Sequence, residues 1–364
     1  MESLSFYLKK LISFKTLTSD KTANRRALDF VKKEVSGLPV FVRGFSSDGF
    51  PSLLITTKNT KRPKILLAGH IDVVGGSNRV FKPLEENGKI IGRGVYDMNF
   101  AAACYIRLLK DLGTKLSQYD FGVLLTCDEE LGGQNGTKAI LQKGVRAKFC
   151  VIPDGGKDWT FQNSAKGVLN VLVKSIGKPG HGSRPWEGEN AIEKLTEALV
   201  KIKKEFSKEN NRSKENRVTL NTGKIQGGEE LNKIPELATA ELDIRFPVFI
   251  NKQSVIRRLK RVTRNIKNLN LTERQSVDGY KVDRSNKFFQ LFIGLVEKKL
   301  KRKVKFIDSF GSCDARYFIK AGIPVVSLRP IGGGHHTEKE WIDLKSLRQF
   351  YAVLKEFIIA EAKL

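Results

Sequence analysis

The sequence predicts an α/β protein of two domains, a larger one with helices packed on a mixed sheet and a smaller β-α-β-β-α-β unit inserted into it. Three observations lead there. Apolar strand-like runs alternate with amphipathic helical stretches at both ends of the chain. Between them the texture changes to alternating strands around two helices, and no repeat or low-complexity linker intervenes. The length, 364 residues, suggests about two domains at roughly 150 residues each.

Taken in order, the first segment sets Lys9 and Lys10 between Leu4, Leu8, Leu11 and Ile12, which reads as an amphipathic helix rather than a signal peptide. A hydrophobic strand follows over Lys64–Gly69 and a helix over about Met98 to Leu112. Strands are expected at Phe121–Cys127 and Phe149–Ile152. From Gly167 the pattern changes. Gly167–Ile176 reads as a strand, and Ala191–Phe206 as a helix with Ile192, Leu195, Leu199, Ile202 and Phe206 on one face. Arg217–Ile225 and Thr239–Phe246 read as strands; in the latter Ala240, Leu242, Ile244 and Phe246 alternate with Glu241, Asp243 and Arg245. A basic helix and a short strand near Leu269–Ser276 complete a split β-α-β unit. The α/β texture then resumes with helix Lys287–Leu300, strand Pro324–Leu328 and helix Leu344–Ala362. The expected boundaries are 1–165 and 280–364 for the larger domain and 166–279 for the inserted one.

Composition excludes several classes. Apolar residues make up 40% of the chain, or about 49% with the 32 glycines, an ordinary globular value. No stretch approaches the roughly 20 consecutive apolar residues of a membrane span. Cys104, Cys127, Cys150 and Cys313 lie far apart without paired spacing, against a Cys-rich zinc module or a disulfide scaffold. A soluble, cytoplasmic protein is the expectation. The formal charge is +26, with seven basic and no acidic residues from Asn251 to Asn270. Val255, Leu259, Val262, Ile266 and Leu269 recur there at helical spacing, so the basic residues read as the solvated face of an amphipathic helix. An electrostatic footprint for nucleic acid is the alternative, but no zinc finger, phosphate loop or RNA-binding aromatic signature accompanies it.

Acids and histidines collect where the predicted strands stop. Lys64–Gly69 delivers His70 and Asp72; Phe121–Cys127 delivers Asp128, Glu129 and Glu130; Phe149–Ile152 delivers Asp154; and Pro324–Leu328 runs toward His335 and His336. Asp97 ends the turn-rich approach to the Met98 helix. Ligand sites in open α/β sheets form outside the carboxyl ends of the strands, so these clusters are expected to share one rim. Carboxylates and imidazoles without cysteine suit zinc, cobalt or manganese. So many carboxylates would repel one another unless cations neutralised them, and a two-metal site meets that need.

The chain resembles the co-catalytic zinc hydrolases that include succinyl-diaminopimelate desuccinylase, acetylornithine deacetylase, aminoacylase and carboxypeptidase G. The matching segments are Gly69-His70-Ile71-Asp72, Gly92-Arg93-Gly94-Val95-Tyr96-Asp97-Met98, Cys127-Asp128-Glu129-Glu130 and Gly180-His181-Gly182-Ser183-Arg184-Pro185. They continue with Gly227-Gly228-Glu229-Glu230-Leu231-Asn232, Asp243-Ile244-Arg245, Ser312-Cys313-Asp314-Ala315-Arg316 and His336-Thr337-Glu338-Lys339-Glu340. They run in family order across nearly the whole chain. The resemblance implies a metal-binding α/β domain with an inserted lid and dimerisation domain, and hydrolysis of an amide bond in an N-acyl amino acid or small peptide. It further implies two divalent cations, one on His70 and Asp154, the other on Glu130 and His336, with Asp97 bridging them. Asp72 would orient His70, and Glu129 would be the general base. His181 would reach the oxyanion from the neighbouring subunit of a homodimer, while Asn232 and Arg245 would hold the substrate, Arg245 by its carboxylate. The family ligand lies four residues before a Glu, which selects His336 over His335. Neighbouring residues of an extended chain point opposite ways, which favours one ligand rather than two. One departure stands out: where the family has Lys-Gly after Asp-Met, this chain has Asn99-Phe100.

Overall fold

A computed structural model describes residues 3–209, 211, 213–311 and 313–363. It separates into two compact units, one formed by residues up to 163, 282–307 and from 313 onward, the other by 164–281 and 308–311. Ser312, in one of the matching segments, lies outside the described residues.

The larger unit is built on a six-stranded mixed sheet. Its strands lie in the order Phe41–Ser47, Phe50–Thr56, Phe121–Thr126, Ile65–His70, Phe149–Val151 and Val325–Val326. The last four are parallel to one another, and the first two form an antiparallel hairpin on one side. The central strands Ile65–His70 and Phe121–Thr126 are buried along their whole length, as continuous apolar runs in parallel sheets should be. The strand expected over Pro324–Leu328 is shortened to Val325–Val326, an edge with one partner. Helix Asn99–Leu112 carries Ala101, Ala102 and Ala103 and is buried nearly all round. Phe100, at the family glycine position, has no exposed surface and meets Phe350 of the final helix Leu344–Glu361 edge-on at 5.5 Å. The departure thus fills the core.

A second, small sheet in this unit was not foreseen. Gly332–Gly333, Trp341–Asp343, Lys89–Ile91 and Leu84–Glu86 pair in that order, which draws the 332–343 segment against the approach to Asp97.

The smaller unit is a four-stranded antiparallel sheet ordered Thr219–Gly227, Leu237–Phe246, Gly167–Ile176 and Leu269–Val277. Helices Ala191–Ser207 and Lys252–Thr263 supply the other half of its core. Leu195, Ile202, Val255 and Leu259 pack with Leu169, Val171, Val173, Ala240, Leu242 and Ile244. The chain order is the β-α-β-β-α-β read from the sequence. The basic face of Lys252–Thr263 is partly neutralised within the unit. Arg258 donates to Glu205 at 3.0 Å and to Glu209, and Arg261 to Glu205 at 2.7 Å.

Candidate active site

Parallel strands in register end on one edge. His70 closes its strand opposite Thr126, so Asp128, Glu129 and Glu130 begin where the neighbouring strand stops. On the other side Val326 pairs with Val151. Asp154 and Arg329 each follow that pair by three residues, and they meet: Arg329 Nη2 lies 2.6 Å from Asp154 Oδ1. The small sheet brings Glu340 to the loop before Asp97. Its carboxylate accepts from Arg93 Nη1 at 3.0 Å and from the backbone N–H groups of Gly94, Tyr96 and Asp97 at 3.0, 2.9 and 3.0 Å.

Two donor clusters share Asp97: His70, Asp97 and Asp154, and Asp97, Glu130 and His336. Asp97 Oδ1 is 3.4 Å from His70 Nε2, while Oδ2 is 3.2 Å from His336 Nε2, which is also 3.2 Å from Glu130 Oε2. Two ligands each about 2.1 Å from a tetrahedral zinc lie roughly 3.4 Å apart, so these separations fit ions placed between the donors. Among the described residues His70 Nε2 is also buried without a hydrogen-bond partner, a cost a bound cation would remove. The residues present therefore fit a pair of divalent cations.

His70 is oriented through its other nitrogen. Nδ1 lies 2.9 Å from the backbone carbonyl oxygen of Asp72 and 3.4 Å from Asp72 Oδ1. The Asp72 carboxylate mainly does something else: it accepts from Thr18 Oγ1 at 2.9 Å and from the backbone N–H groups of Glu129 and Glu130, each at 3.2 Å. It thereby ties the end of one strand to the start of the acidic turn beside it. His336 sits in a turn with φ +63° rather than in extended chain. The alternation argument for its register therefore does not apply, although His336 is the histidine facing Asp97 and Glu130. The ring of His335 lies 6.3 Å from that of Tyr96.

The electrostatics follow from crowding. Burial pushes the Glu129 carboxyl well above the usual range, and the charges of Asp154, Asp314 and Asp97 add to it. Burial likewise pushes Asp154 up to about 7 against the opposing charge of Arg329. Burial alone would raise Asp97, but Arg329, His336 and His70 outweigh it and hold that carboxyl well below its ordinary value. Hydrogen bonds to Asp97 and Glu130 raise the His336 imidazole to about 10. Such a cluster needs positive charge to be stable.

Arg329, Glu340 and the second function of Asp72 were not read from the sequence as parts of the site. The signal for Arg329 was its position three residues beyond a strand that pairs in parallel with the strand leading to Asp154.

His181, Asn232 and Arg245 belong to the smaller unit, which brings the first two together. Gly182 N donates to Asn232 O at 2.7 Å, and Ile234 N to Gly180 O at 2.8 Å. His181 is exposed, and its Nδ1 accepts from Ser183 N at 3.2 Å, which leaves the neutral ring its proton on Nε2. Arg245 grips Asp243 through Nε at 2.8 Å and Nη2 at 3.0 Å. Its side-on edge is taken, and the end-on Nη1–Nη2 edge remains as a second fork.

Paired donor clusters around a shared carboxylate are the arrangement that a two-metal hydrolase requires. The profile of Peptidase family M20/M25/M40 matches residues 66–360. A succinyl-diaminopimelate desuccinylase from Rickettsia bellii is 28% identical over 97% of this chain and 95% of its own length. That of a Nitratiruptor species is 25% identical over 98% and 99%. A tripeptidase structure from Staphylococcus aureus superposes with a TM-score of 0.78 at 22% identity, covering 99% of this chain and 98% of that one. An M20 family metallo-carboxypeptidase from Sulfolobus solfataricus gives 0.79 at 17%, covering 98% and 99%. The chain belongs to the M20/M25/M40 peptidase family, whose enzymes use a two-metal site, and is a metal-dependent amide hydrolase.

Proposed function

We propose that this enzyme is a deacylase or desuccinylase-like hydrolase of N-acyl amino acids that carry a free carboxylate. The observation that carries the reading is Asp97, whose two oxygens each face a separate histidine-containing donor cluster. His70, Asp97 and Asp154 would hold one divalent cation and Asp97, Glu130 and His336 the other, with zinc the best match to the donors and cobalt or manganese as substitutes. When bound, the cations supply a lowered water pKa and a polarised amide carbonyl.

The chain's own groups do the rest. Glu129 takes the proton of the attacking water and returns it to the departing nitrogen. Asp72 fixes the backbone of Glu129 and Glu130 while its main chain orients His70. His181 donates from Nε2 to the oxyanion, Asn232 positions the substrate, and the free edge of Arg245 takes its carboxylate. We place His181's contribution across a homodimer of the smaller unit. The edge strand Thr219–Gly227, with Ile225 59% exposed beside Val200 at 61%, supports such a surface. Domain limits of 1–165, 166–279 and 280–364 belong to the same reading. Among the described residues no helix is long and apolar enough to cross a membrane, and the cysteines are buried thiols, which supports a cytoplasmic location.

A dipeptidase or carboxypeptidase activity is the second reading, favoured by the likeness to the solved tripeptidase and carboxypeptidase folds. Turnover of N-succinyl and N-acetyl amino acids against di- and tripeptides, measured on zinc-loaded protein, separates the two. Glu129→Gln should lower turnover by at least ~10²-fold while metal content stays unchanged. Full activity in that variant would remove Glu129 from the mechanism.

A further inference from the structure

Arg329 is a cation already inside the site. Its Nη2 donates to Asp97 Oδ1 at 2.9 Å and to Asp154 Oδ1 at 2.6 Å. Those are the oxygens lying 3.4 and 4.0 Å from His70 Nε2, so one nitrogen spans two of the three donors that the first cluster offers an ion. The side chain is buried, its Nε has no hydrogen-bond partner among the described residues, and its guanidinium lies 5.3 Å from the ring centroid of Tyr96. A guanidinium does not lose its proton in a protein, so its charge persists. Glu130 and His336, in the second cluster, receive no hydrogen bond from Arg329 among the described residues, and Asp97 turns its other oxygen to them.

We propose, on the two-cation reading above, that Arg329 is a positioning residue that makes the two cation sites unequal. It competes for Asp97 and Asp154, so the Asp97–Glu130–His336 position fills first. The His70–Asp97–Asp154 position then binds its ion more weakly and draws at least one carboxylate away from the guanidinium. Two effects act in the same direction. The carboxylate lone pairs used by Arg329 are withdrawn from a metal, and a buried positive charge within one carboxylate of the position repels a dication where screening is weak. When the metal is absent, the same residue keeps Asp97 and Asp154 from facing each other as unpaired buried charges.

The test is a zinc titration of metal-stripped protein against a chromophoric chelator, read as affinity and stoichiometry rather than turnover. Wild type should show two classes at least tenfold apart. Arg329→Gln should tighten the weaker class by tenfold or more, and Arg329→Lys should retain much of the gap because the charge stays. An unchanged or weakened second class in Arg329→Gln would overturn the proposal. If that variant does not fold, wild-type crystals grown with one equivalent of zinc decide the matter by anomalous scattering. Density at His336 and Glu130 supports the proposal; density first at His70 and Asp154, or equal occupancy, overturns it. Wild-type protein that takes up no zinc would instead defeat the two-cation reading itself.

Discussion

Replacing Glu340 by alanine would strip four donors of one acceptor. The carboxylate is buried and receives Arg93 together with three backbone N–H groups of the segment that ends at Asp97. Truncating one member of a buried ion pair costs about 3–5 kcal/mol, and each buried donor left unsatisfied costs about 1–3 kcal/mol. These contributions overlap, because water entering the space would satisfy some of the donors. A net loss of about 4–6 kcal/mol is expected, and about 4 kcal/mol corresponds to a Tm lower by roughly 8–16 °C. Glu340→Gln should be scarcely milder. Whichever way the amide is turned, its NH2 faces either Arg93 and Gly94 N–H or the N–H groups of Tyr96 and Asp97, and Arg93 loses its counter-charge. Urea unfolding of metal-stripped protein measures the stability, and zinc affinity measures whether Asp97 has been displaced. Alanine and glutamine variants both within about 1 kcal/mol of wild type would refute the account of Glu340 as the anchor of that loop.

Other outcomes follow from particular contacts. Gly133 has φ +63°, and a Cβ there would fall 2.0 Å from Asp314 Oδ1, so Gly133→Ala should destabilise by about 1–3 kcal/mol in urea unfolding; a neutral result would show that Asp314 is free to move. Phe100→Ala empties a fully buried site against Phe350 and should cost about 3–5 kcal/mol in the same assay, whereas under 1 kcal/mol would mean the aromatic departure is not part of the core. Burial alone would raise the Asp111 carboxyl, but Tyr351, Lys355 and Arg107 hold it below its ordinary value. A depressed carboxylate stabilises the fold above its unfolded pKa of about 3.9, and that contribution is lost as pH falls through the folded value. Asp111→Asn should therefore be less stable at neutral pH and lose less than wild type between about pH 4 and pH 2; parallel acid-stability curves would exclude the effect.

Much of the fold was legible because its central strands are buried on both faces. The run 65–69 is apolar throughout, and the first polar residue after it, His70, marks the rim. The inserted sheet was legible for the opposite reason, since Leu237–Phe246 alternates between core and solvent. The hairpin of Phe41–Ser47 and Phe50–Thr56 was missed although Asp48-Gly49, both at positive φ, is a turn signal of its kind. The small sheet around Trp341–Asp343 was out of reach, because strands of two or three residues carry no periodicity. Among site residues, the acids and histidines stand out by type in a chain with four histidines, whereas Arg329 is one of 65 basic residues. Only the register of Val326 with Val151 shows what its head group meets. In the same way Asp243 takes the Nε and one Nη2 donor of Arg245, a pairing of residues two apart on one strand face.

The order in which the larger unit is completed differs from the order in which it is made. Its sheet opens with strands near the amino terminus but gains its last parallel member only at Val325–Val326, and Arg329, His336 and Glu340 come later still. The core around Phe100 then waits for Phe350 in the final helix. The four-stranded sheet of the smaller unit lies within one continuous stretch, 164–281. Domains emerging from the ribosome ordinarily fold from the amino terminus onward. In this chain the inserted unit can close while its host is unfinished, so the emerging polypeptide carries bare, acid-rimmed strands until residues 325–350 have been made.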